Sequence, residues 1–337
     1  MIEKTDMKII ILAGGLGTRL WPHSQSPKQF SITEGGHSLL QKTLLRFLKH
    51  CNPEDLVIVT QDHFLQEAIT QAKEIEESLE KRVIAEPEKK NTAPATLFAL
   101  KWMEKQGETP STFLVSPSDH LISPESLFLE KIQEAQQLSL ERHHILFGAF
   151  PTHPHPGYGY ITCDPEKNIS DVESFIEKPI LSKAQSLLET GKCLWNTGIV
   201  LFHRETFFKD LKQHQPEMFE AYETDTFRAY PNLSLDHAFH EHFNHLKVIP
   251  LPLSWSDVGS WEGIYEAFEK DAHQNVKIGN IVDLQTKGCF ILGDKRKIAA
   301  IDLEDLIIVD TKEALLIAKR GSTQKIPLAV EKLESVF

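Results

Sequence analysis

The sequence predicts an α/β protein with a doubly wound sheet, followed by a small β-rich domain at the C-terminus. Three observations carry this prediction. Short apolar runs alternate with helical stretches up to about residue 150, strands become shorter and more widely spaced after Pro156, and helix signals almost vanish from Asn275 onward. Alternating strands and helices are typical of βαβ units, whereas closely spaced short strands are typical of β domains.

The first predicted strand is the apolar run Lys8–Ala13 (KIIILA), which Gly14 and Gly15 stop. Such a run is typical of a buried parallel strand that enters a glycine turn. The pattern then repeats. Further strands are predicted at Leu56–Thr60, Thr112–Ser116 and Ile145–Phe150, and the helices between them at His63–Leu79, Ala93–Gln106 and Pro124–Glu141.

After Pro156 the pattern indicates a mixed region, which we expect to lie against the first sheet. The helices of this region are rich in Phe and His, and core packing is the expected reason for the aromatic side chains. The predicted strands are Gly159–Thr162, Val172–Ile176, Gly198–Phe202 and Leu246–Ile249, and the predicted helices are Arg204–His214, Pro216–Ala229 and Leu233–Phe243.

The last segment is predicted to be a separate small domain of residues 275–337, which leaves residues 1–274 as the larger domain. Asp271–Gln274 is a polar stretch suited to the boundary. A helix at Ile326–Leu333 is expected to close the domain. The strands of this segment are predicted at Gly279–Asp283, Cys289–Leu292, Lys297–Asp302, Leu306–Asp310 and Ala314–Ala318.

Composition and charge exclude several classes of protein. The 337 residues are 41% hydrophobic and 25% charged, which is ordinary for a globular chain. The formal net charge of −12 argues against a nucleic-acid partner and against binding to an anionic membrane. No signal-peptide core and no run of ~20 apolar residues is found, so we expect a cytoplasmic protein. The four cysteines lack CxxC spacing and are interpreted as reduced, buried thiols.

The turn after the first strand has the features of an anion site. Gly14, Gly15 and Gly17 lie between this strand and a predicted helix, where backbone N–H groups can face a phosphate. Neither the Rossmann pattern G-x-G-x-x-G nor the Walker A pattern fits the sequence. Instead, Arg19 and Lys28 supply two cations within nine residues, as a polyphosphate requires.

The segment GGLGTRLWP, followed by PKQF, resembles the signature of the sugar-nucleotide pyrophosphorylases in the mannose-1-phosphate guanylyltransferase form. Six later segments match this family in order, and together they extend the resemblance from residue 8 to about residue 320. The probability that seven segments match in the family's order by chance is very small. The later segments are Asn91–Ala95, Ser116–His120, Gly157–Ile161, Phe175–Pro179, Trp195–Gly198 and Trp255–Trp261.

The resemblance implies a fold and a reaction. The fold is the Rossmann-like doubly wound mixed sheet of the nucleotide-diphospho-sugar transferases, with a small β-helix-like C-terminal domain. The reaction is Mg²⁺-dependent attack of α-D-mannose 1-phosphate on the α-phosphorus of GTP, which yields GDP-mannose and diphosphate. Relatives also suggest a homodimer. Such a transfer needs positioning and charge neutralisation rather than a nucleophilic side chain.

The resemblance also implies roles for individual residues. Asp119 follows a predicted strand, at the edge where open α/β sheets bind ligands, and Asp257 lies in a Trp/Gly-rich turn; both would hold Mg²⁺. The implied catalytic residues are Arg19, Lys28, Asp119, Lys178 and Asp257. The implied nucleotide-binding residues are Ala13, Gly14, Gly15, Gly17, Thr18, Arg19, Lys28, Asn91 and Thr92. The implied sugar-phosphate-binding residues are Gly159, Glu177, Lys178 and Asn196.

Two alternatives to this enzyme remain. A catalytically silent relative could bind sugar nucleotide and regulate a partner, but the joint retention of the five implied catalytic residues favours the enzyme. A Rossmann oxidoreductase needs an acidic ribose-binding residue at the end of the second strand. That strand ends in Thr60-Gln61-Asp62, and the incomplete glycine pattern also counts against this alternative.

Asn91 and Thr92 also fit a plain helix N-cap with proline in the first turn.

Two features of the sequence depart from the family pattern. The loop His23–Ser26 is shorter than usual, and Gln25 stands where arginine is common. Lys90 replaces the arginine that commonly precedes the NTAPA segment, which keeps the charge and loses bidentate pairing.

Overall fold

The computed structural model of the chain describes residues 7–15, 20–22, 27–139, 141–240 and 246–336. The chain forms two compact units. The first unit comprises Met1–Gly14, Thr43–Ser118 and Ile122–Ser254, and the second comprises Gly15–Lys42, Asp119–Leu121 and Trp255–Phe337.

The strands and helices are numbered in chain order. The strands are β1 Met7–Leu12, β2 Thr33–Glu34, β3 His37–Ser38, β4 Leu56–Gln61, β5 Val83–Glu86, β6 Thr112–Pro117, β7 Leu121–Ser123, β8 His144–Ala149, β9 Tyr160–Thr162, β10 Ser170–Asp171, β11 Ser174–Ile176, β12 Cys193–His203, β13 Leu246–Leu251, β14 Ser254–Ser256, β15 Val276–Ile278, β16 Ile281–Leu284, β17 Phe290–Gly293, β18 Ile298–Ile301, β19 Leu306–Asp310 and β20 Leu315–Lys319. The helices are α1 Lys28–Ser31, α2 Leu39–Leu48, α3 Leu65–Ile75, α4 Thr92–Lys105, α5 Glu125–Ser139, α6 Leu181–Glu189, α7 Arg204–His214, α8 Pro216–Glu223, α9 Trp261–Ala267 and α10 Ile326–Val336.

The first unit is built on a mixed sheet, and the predicted fold class is confirmed. Its strand order is β10-β13-β8-β12-β6-β1-β4-β5, with β9 and β11 added beside β12. Strand β1 is parallel to both β4 and β6, and β4 is parallel to β5. The predicted βαβ alternation therefore accounts for β1, β4 and β6, and the parallel strand β5 was not predicted.

The expectation that the region after Pro156 lies against the first sheet is wrong. Its long strand β12 is antiparallel to both β6 and β8 and lies between them in one sheet. Strand β12 starts at Cys193, earlier than the predicted Gly198, and most of its residues are buried. A strand buried on both faces satisfies its backbone only with a neighbour on each side, so it pairs inside the sheet.

Several predicted helices are shorter in the structure. Helix α3 ends at Ile75 because Glu76 has extended backbone angles, and a 3₁₀ segment, Glu77–Arg82, follows it. Helix α8 ends at Glu223, two residues before Asp225 takes a φ of 52°. The helix predicted at Leu233–Phe243 is a π-helical turn at Asp236–His240, and residues 241–245 lie outside the described residues.

The core of the first unit contains the aromatic side chains that the sequence predicted for packing. Phe113 and Phe202 have ring centroids 5.2 Å apart, and Phe207 lies 5.1 Å from Phe113 and 4.9 Å from Phe202. Phe239 lies 4.9 Å from Phe207, and all four side chains are buried. Tilted and edge-on contacts at these distances add stabilisation beyond area burial.

The second unit contains parallel strands that stack in successive layers. Strands β15, β17 and β19 form a parallel ladder that aligns Val276, Phe290 and Ile307, and β16 pairs with β18 in the same sense. The sequence prediction missed β15. It is separated from β16 by Gly279, whose φ of 109° is one that L side chains rarely adopt and whose added Cβ would collide with the Gly293 carbonyl oxygen.

The strands of the second unit share their core with residues from before position 275. Buried Trp261 lies 5.5 Å from the ring of Phe290, and its Nε1 donates to the Trp21 carbonyl oxygen at 2.9 Å. Leu39 belongs to the same cluster. The domain boundary near residue 275 stays a prediction.

In the part of the chain that the structure describes, we find no helix with the length and hydropathy needed to cross a bilayer.

Candidate active site

Lys28 connects two predicted site residues within the second unit. Its Nζ lies 3.0 Å from Oδ2 of Asp119, donates to the main-chain oxygen of Asp257, and lies 3.5 Å from that of Val258. The side chains of Lys28 and Asp119 are only 13% and 18% exposed. The structure thus brings Lys28, Asp119 and Asp257 into one cluster, although 229 positions separate Lys28 from Asp257.

A tight turn orients the carboxylate of Asp257. Oδ1 of Asp257 accepts from the Gly259 N–H at 3.0 Å, and Oγ of Ser256 accepts from the Val258 N–H at 3.1 Å. Val258 has a φ of 50° and a fully buried side chain. A Cβ on Gly259 would lie 2.8 Å from Oδ2 of Asp257, so only glycine leaves room for the carboxylate.

His120 is a neighbour of the cluster that the sequence analysis did not assign. Its Nε2 lies 3.8 Å from Oδ1 of Asp119, and its Nδ1 accepts from Trp255 Nε1 at 3.3 Å. A ring whose Nδ1 accepts carries its proton on Nε2, so the donor edge faces the Asp119 carboxylate. His120 lies within the SPSDH segment, so its position next to Asp119 in sequence was the available signal.

The donor set of this cluster fits a Mg²⁺ ion that also binds substrate oxygens. Across the described ranges no group of three or more His, Cys, Asp or Glu side chains is arranged to hold a metal. Mg²⁺ commonly takes one or two protein carboxylates and completes its shell with phosphate oxygens and water. Asp119 and Asp257, which lie next to the same lysine, match that requirement.

A second cluster lies in the first unit and contains the predicted sugar-phosphate residues. Nζ of Lys178 donates to Oε1 of Glu177 at 2.5 Å, and the Asn196 N–H donates to the Gly159 oxygen at 2.8 Å. A Cβ on Gly159 would lie 2.8 Å from Oε2 of Glu177 and 3.3 Å from the Asn196 Cβ. The side chain of Glu177 is 12% exposed and that of Lys178 is 56% exposed, so the lysine of this pair is the more accessible to solvent.

Asp236 holds the side chain of Asn196 and was missed by the sequence analysis. Nδ2 of Asn196 donates to Oδ1 of Asp236 at 2.7 Å, and Oδ1 of Asn196 accepts from the Gly198 N–H at 3.1 Å. These two bonds determine which way the amide points. Asp236 begins the π-helical turn in a segment that the pattern assigned to a helix, so no signal separated it from other acidic residues.

Asn91 and Thr92 form the N-cap of α4, the alternative that the sequence analysis kept open. Oδ1 of Asn91 accepts from the Thr92 N–H at 3.0 Å, and Asn91 has a φ of 74°. Oγ1 of Thr92 accepts from the Leu235 N–H at 2.8 Å, and the Ala93 N–H donates to the Leu233 oxygen at 3.2 Å. The cap therefore also fixes the segment that leads to Asp236.

The glycine turn is only partly described. Gln61 Nε2 donates to the Gly14 oxygen at 2.6 Å, and Thr60 Oγ1 donates to the Ala13 oxygen at 3.0 Å. Gln29 Nε2 donates to the Gly15 oxygen at 3.0 Å, in the second unit. The predicted nucleotide-binding residues Gly17, Thr18 and Arg19 lie outside the described residues, as does the loop His23–Ser26.

A model of the nucleotidyl transferase family matches residues 8–274, which is most of the chain. The chain belongs to the nucleotidyl transferase family. The family recognised from the motifs is therefore confirmed. A second model, the mannose-phosphate isomerase/GMP-like β-helix domain, matches residues 279–333 of this nucleotidyl transferase.

Two curated relatives and one solved structure resemble this nucleotidyl transferase over nearly its whole length. A mannose-1-phosphate guanylyltransferase from Salmonella montevideo is 35% identical over 352 residues, covering 96% of this chain and 73% of that protein. A mannose-1-phosphate guanylyltransferase from Klebsiella pneumoniae is 34% identical, with the same coverage of 96% and 73%. The crystal structure of a mannose-1-phosphate geranyltransferase from Thermus thermophilus superposes with a TM-score of 0.86 at 26% identity, covering 98% and 100% of the two chains.

Proposed function

We propose that this nucleotidyl transferase is a mannose-1-phosphate guanylyltransferase that converts GTP and α-D-mannose 1-phosphate into GDP-mannose and diphosphate. The observation that carries the proposal is the cluster of Lys28 with Asp119 and Asp257, because one ammonium group contacts the Asp119 carboxylate and the main chain of Asp257. The names of the relatives at 34–35% identity support guanine and mannose as the substrate groups.

The reaction transfers a guanylyl group between two phosphate oxygens. A phosphate oxygen of mannose 1-phosphate forms a bond to the α-phosphorus of GTP. The bond between the α-phosphorus and the oxygen that bridges the α- and β-phosphates breaks, and diphosphate leaves with that oxygen. No side-chain nucleophile is required. In agreement, burial raises the pKa of the Cys51 and Cys163 thiols to about 12, which keeps both thiols protonated at neutral pH.

In this proposal Asp119 and Asp257 hold Mg²⁺, which would neutralise charge on the phosphates. Lys28 adds a positive charge beside the Asp119 carboxylate, and the Gly259 N–H keeps the Asp257 carboxylate oriented. The low exposure of Lys28 and Asp119 strengthens their electrostatic effect relative to that of groups in bulk water. Arg19 supplies a further cation to the triphosphate, as the resemblance implies.

The sugar phosphate is proposed to bind at the second cluster. The exposed ammonium of Lys178 is available to the 1-phosphate, and Glu177, fixed beside Gly159, accepts hydrogen bonds from sugar hydroxyls. Asn196, oriented by Asp236, contacts the sugar. The nucleotide is proposed to bind at Ala13, Gly14, Gly15, Gly17, Thr18, Asn91 and Thr92, together with Arg19 and Lys28.

The proposal includes a cytoplasmic location and a homodimer. Exposed apolar side chains on neighbouring strands β16 and β18 of the second unit support an interface there. Val282, Leu284 and Ile301 are 65%, 58% and 56% exposed. Apolar side chains grouped on one surface are typical of contacts between subunits.

Diphosphate release by the purified full-length chain tests the activity. The assay supplies each of the four nucleoside triphosphates with mannose, glucose or N-acetylglucosamine 1-phosphate, in the presence of MgCl₂. We expect release of diphosphate chiefly with GTP and mannose 1-phosphate, and GDP-mannose as the second product. Binding of GDP-mannose without any diphosphate release would instead support the silent regulatory subunit.

A further inference from the structure

The loop between β8 and β9 leads into the sugar-phosphate cluster of the first unit. Its second half, His153–Gly159, reads HPHPGYG, so a proline lies on each side of His155. The loop ends at Gly159, whose oxygen accepts from the Asn196 N–H at 2.8 Å and whose added Cβ would lie 2.8 Å from Oε2 of Glu177. The conformation of this loop therefore determines where the main chain of Gly159 lies.

A buried side chain of β9 anchors the main chain of His155. The hydroxyl of Tyr160 accepts from the His155 N–H at 2.9 Å and donates to the His155 oxygen at 3.2 Å. Tyr160 is fully buried and pairs with Trp195 of β12 in the sheet register. These two bonds close residues 155–160 into a short loop that is fixed at both ends to β9.

The side chain of His155 closes the turn from within. Its Nδ1 accepts from the Gly157 N–H at 3.1 Å. Pro156 has no N–H, so Gly157 carries the first main-chain donor after His155. A side-chain acceptor for the N–H two residues further along is the arrangement of an Asx turn, which Asn and Asp usually form. His155 can take this place because Nδ1, like Oδ1 of asparagine, is bonded to Cγ.

His155 contributes both an acceptor atom and an aromatic face to the loop. An imidazole nitrogen accepts a hydrogen bond only when it carries no proton, so the bond from Gly157 assigns the proton of the neutral ring to Nε2. The same ring stacks on Tyr158, with centroids 4.0 Å apart and planes at 22°. Because the two contributions come from different parts of the side chain, substitutions can separate them.

We propose that His155 is a positioning residue for the sugar phosphate and acts through the hydrogen bond that Gly157 donates to its Nδ1. This bond closes the turn and thereby fixes the main chain of Gly159 against Glu177. The inference rests on the proposed guanylyltransferase function and adds to it a residue that supports the sugar-phosphate cluster without touching the substrate. A main chain that is already fixed loses less conformational freedom when the substrate binds, which improves affinity.

The test compares two variants that each keep one contribution of His155. His155→Asn keeps an acceptor on Cγ and removes the ring, whereas His155→Phe keeps an aromatic face toward Tyr158 and removes the acceptor. His153→Phe is the matched control, since His153 is exposed and its Nδ1 lies 3.1 Å from a side-chain partner, Oγ1 of Thr152. Steady-state rates of diphosphate release give kcat and the KM of each substrate for the full-length chains.

His155→Phe should raise the KM for mannose 1-phosphate by about tenfold, because the turn loses its side-chain hydrogen bond. Its kcat and its KM for GTP should change by less than about threefold. His155→Asn and His153→Phe should keep the KM for mannose 1-phosphate within about threefold of that of the unaltered chain. An unchanged KM in His155→Phe, or a rise in His155→Asn that equals the rise in His155→Phe, would overturn the inference.

Amide hydrogen exchange, followed by NMR on the isotope-labelled full-length chain, measures the turn without catalysis. The Gly157 amide should exchange about tenfold or more slowly than in an unstructured peptide, both in the unaltered chain and in His155→Asn. His155→Phe should lose this protection. Exchange at the unstructured rate in the unaltered chain would overturn the inference, and this outcome needs no variant, so a folding defect in either substitution does not remove the test.

Failure of the proposed function gives a different result. If the unaltered chain releases no diphosphate from any nucleotide, calorimetric titration of the same proteins with mannose 1-phosphate replaces the kinetic assay. Weaker binding by His155→Phe than by His155→Asn would then support the positioning role in a chain without turnover. Equal affinities of the two variants, or no binding to the unaltered chain, would contradict it.

Discussion

Lys28 and Asp119 form a largely buried ion pair in which Nζ lies 3.0 Å from Oδ2. The same ammonium donates to the main chain at Asp257, so one side chain joins the two loops that carry the candidate metal ligands. A largely buried charge is costly to leave unpaired, and loss of either partner affects the other. The cluster is therefore both a structural link and the candidate centre of the chemistry.

The first prediction concerns the two candidate metal ligands. Asp119→Asn and Asp257→Asn should each lower kcat by about a hundredfold or more, because charge stabilisation in the transition state is lost. Both variants should also need more Mg²⁺ for half-maximal rate. Asp294→Asn, at an exposed residue of the second unit, is the matched control. Normal turnover of either variant, or full activity of the unaltered chain in EDTA, would contradict the assignment.

The second prediction separates the two substrates. Lys178→Ala should raise the KM for mannose 1-phosphate, because an exposed ammonium is removed from the sugar-phosphate cluster. Lys28→Ala should chiefly impair the use of GTP. Initial rates over a grid of both substrate concentrations measure the two effects. If Lys178→Ala raised only the KM for GTP, the two halves of the site would be reversed.

The third prediction concerns Gly159. In Gly159→Ala the new Cβ would lie 2.8 Å from Oε2 of Glu177, so the carboxylate must move. The KM for mannose 1-phosphate should rise by about tenfold, with a much smaller change in the KM for GTP. Gly263→Ala is the control, since its nearest heavy atom is Oγ of Ser260 at 3.4 Å. An unchanged KM for mannose 1-phosphate would show that Glu177 does not bind the sugar.

The fourth prediction is a pH dependence of stability that arises from Glu86. Because burial raises the pKa of Glu86 from 4.5 to about 7, the folded chain binds this proton more tightly than the unfolded chain. The contribution to stability is therefore present below pH ~4.5 and is lost as the pH rises to ~7. Without nucleotide, Glu86→Gln should become more stable relative to the unaltered chain over that interval, by at most about 3 kcal/mol.

Urea unfolding at several pH values measures this difference in unfolding free energy. Glu88→Gln should show no comparable trend, because its side chain is partly exposed. If the difference in unfolding free energy between Glu86→Gln and the unaltered chain stayed constant from pH 4.5 to 7, burial would not raise the pKa of the Glu86 carboxyl group.

The fifth prediction concerns a chain that ends at Gln274. Such a chain keeps Asp119, Lys178 and Asp257, but it loses Phe290 and the other strand residues that cover Trp261. Exposure of this apolar cluster should cause aggregation or loss of the oligomeric state. Light scattering of both chains measures the effect. A monomeric full-length chain would refute the homodimer, and a truncated chain of unchanged stability would refute the shared core.

The sequence predicted three strands of the parallel half of the sheet because local patterns determine them, and it missed the fourth, β5. Strands β1, β4 and β6 are continuous apolar runs bounded by turn residues, and the predicted strands agree with them to within one residue at each end. The position of β12 was not predictable in this way. Its place between β6 and β8 depends on pairing between residues far apart in the chain, which no local pattern encodes.

The sequence by itself determined the family, the mixed α/β fold and the residue types that the chemistry needs, because short motifs in a defined order carry that information. Only the tertiary structure decided which of these residues meet. Lys28 contacts Asp119 and the main chain of Asp257, Asp236 orients Asn196, and Oε2 of buried Glu86 has no hydrogen-bond partner among the described residues. Such contacts, and the burial that makes Glu86 costly to ionise, depend on long-range packing that brings distant residues together.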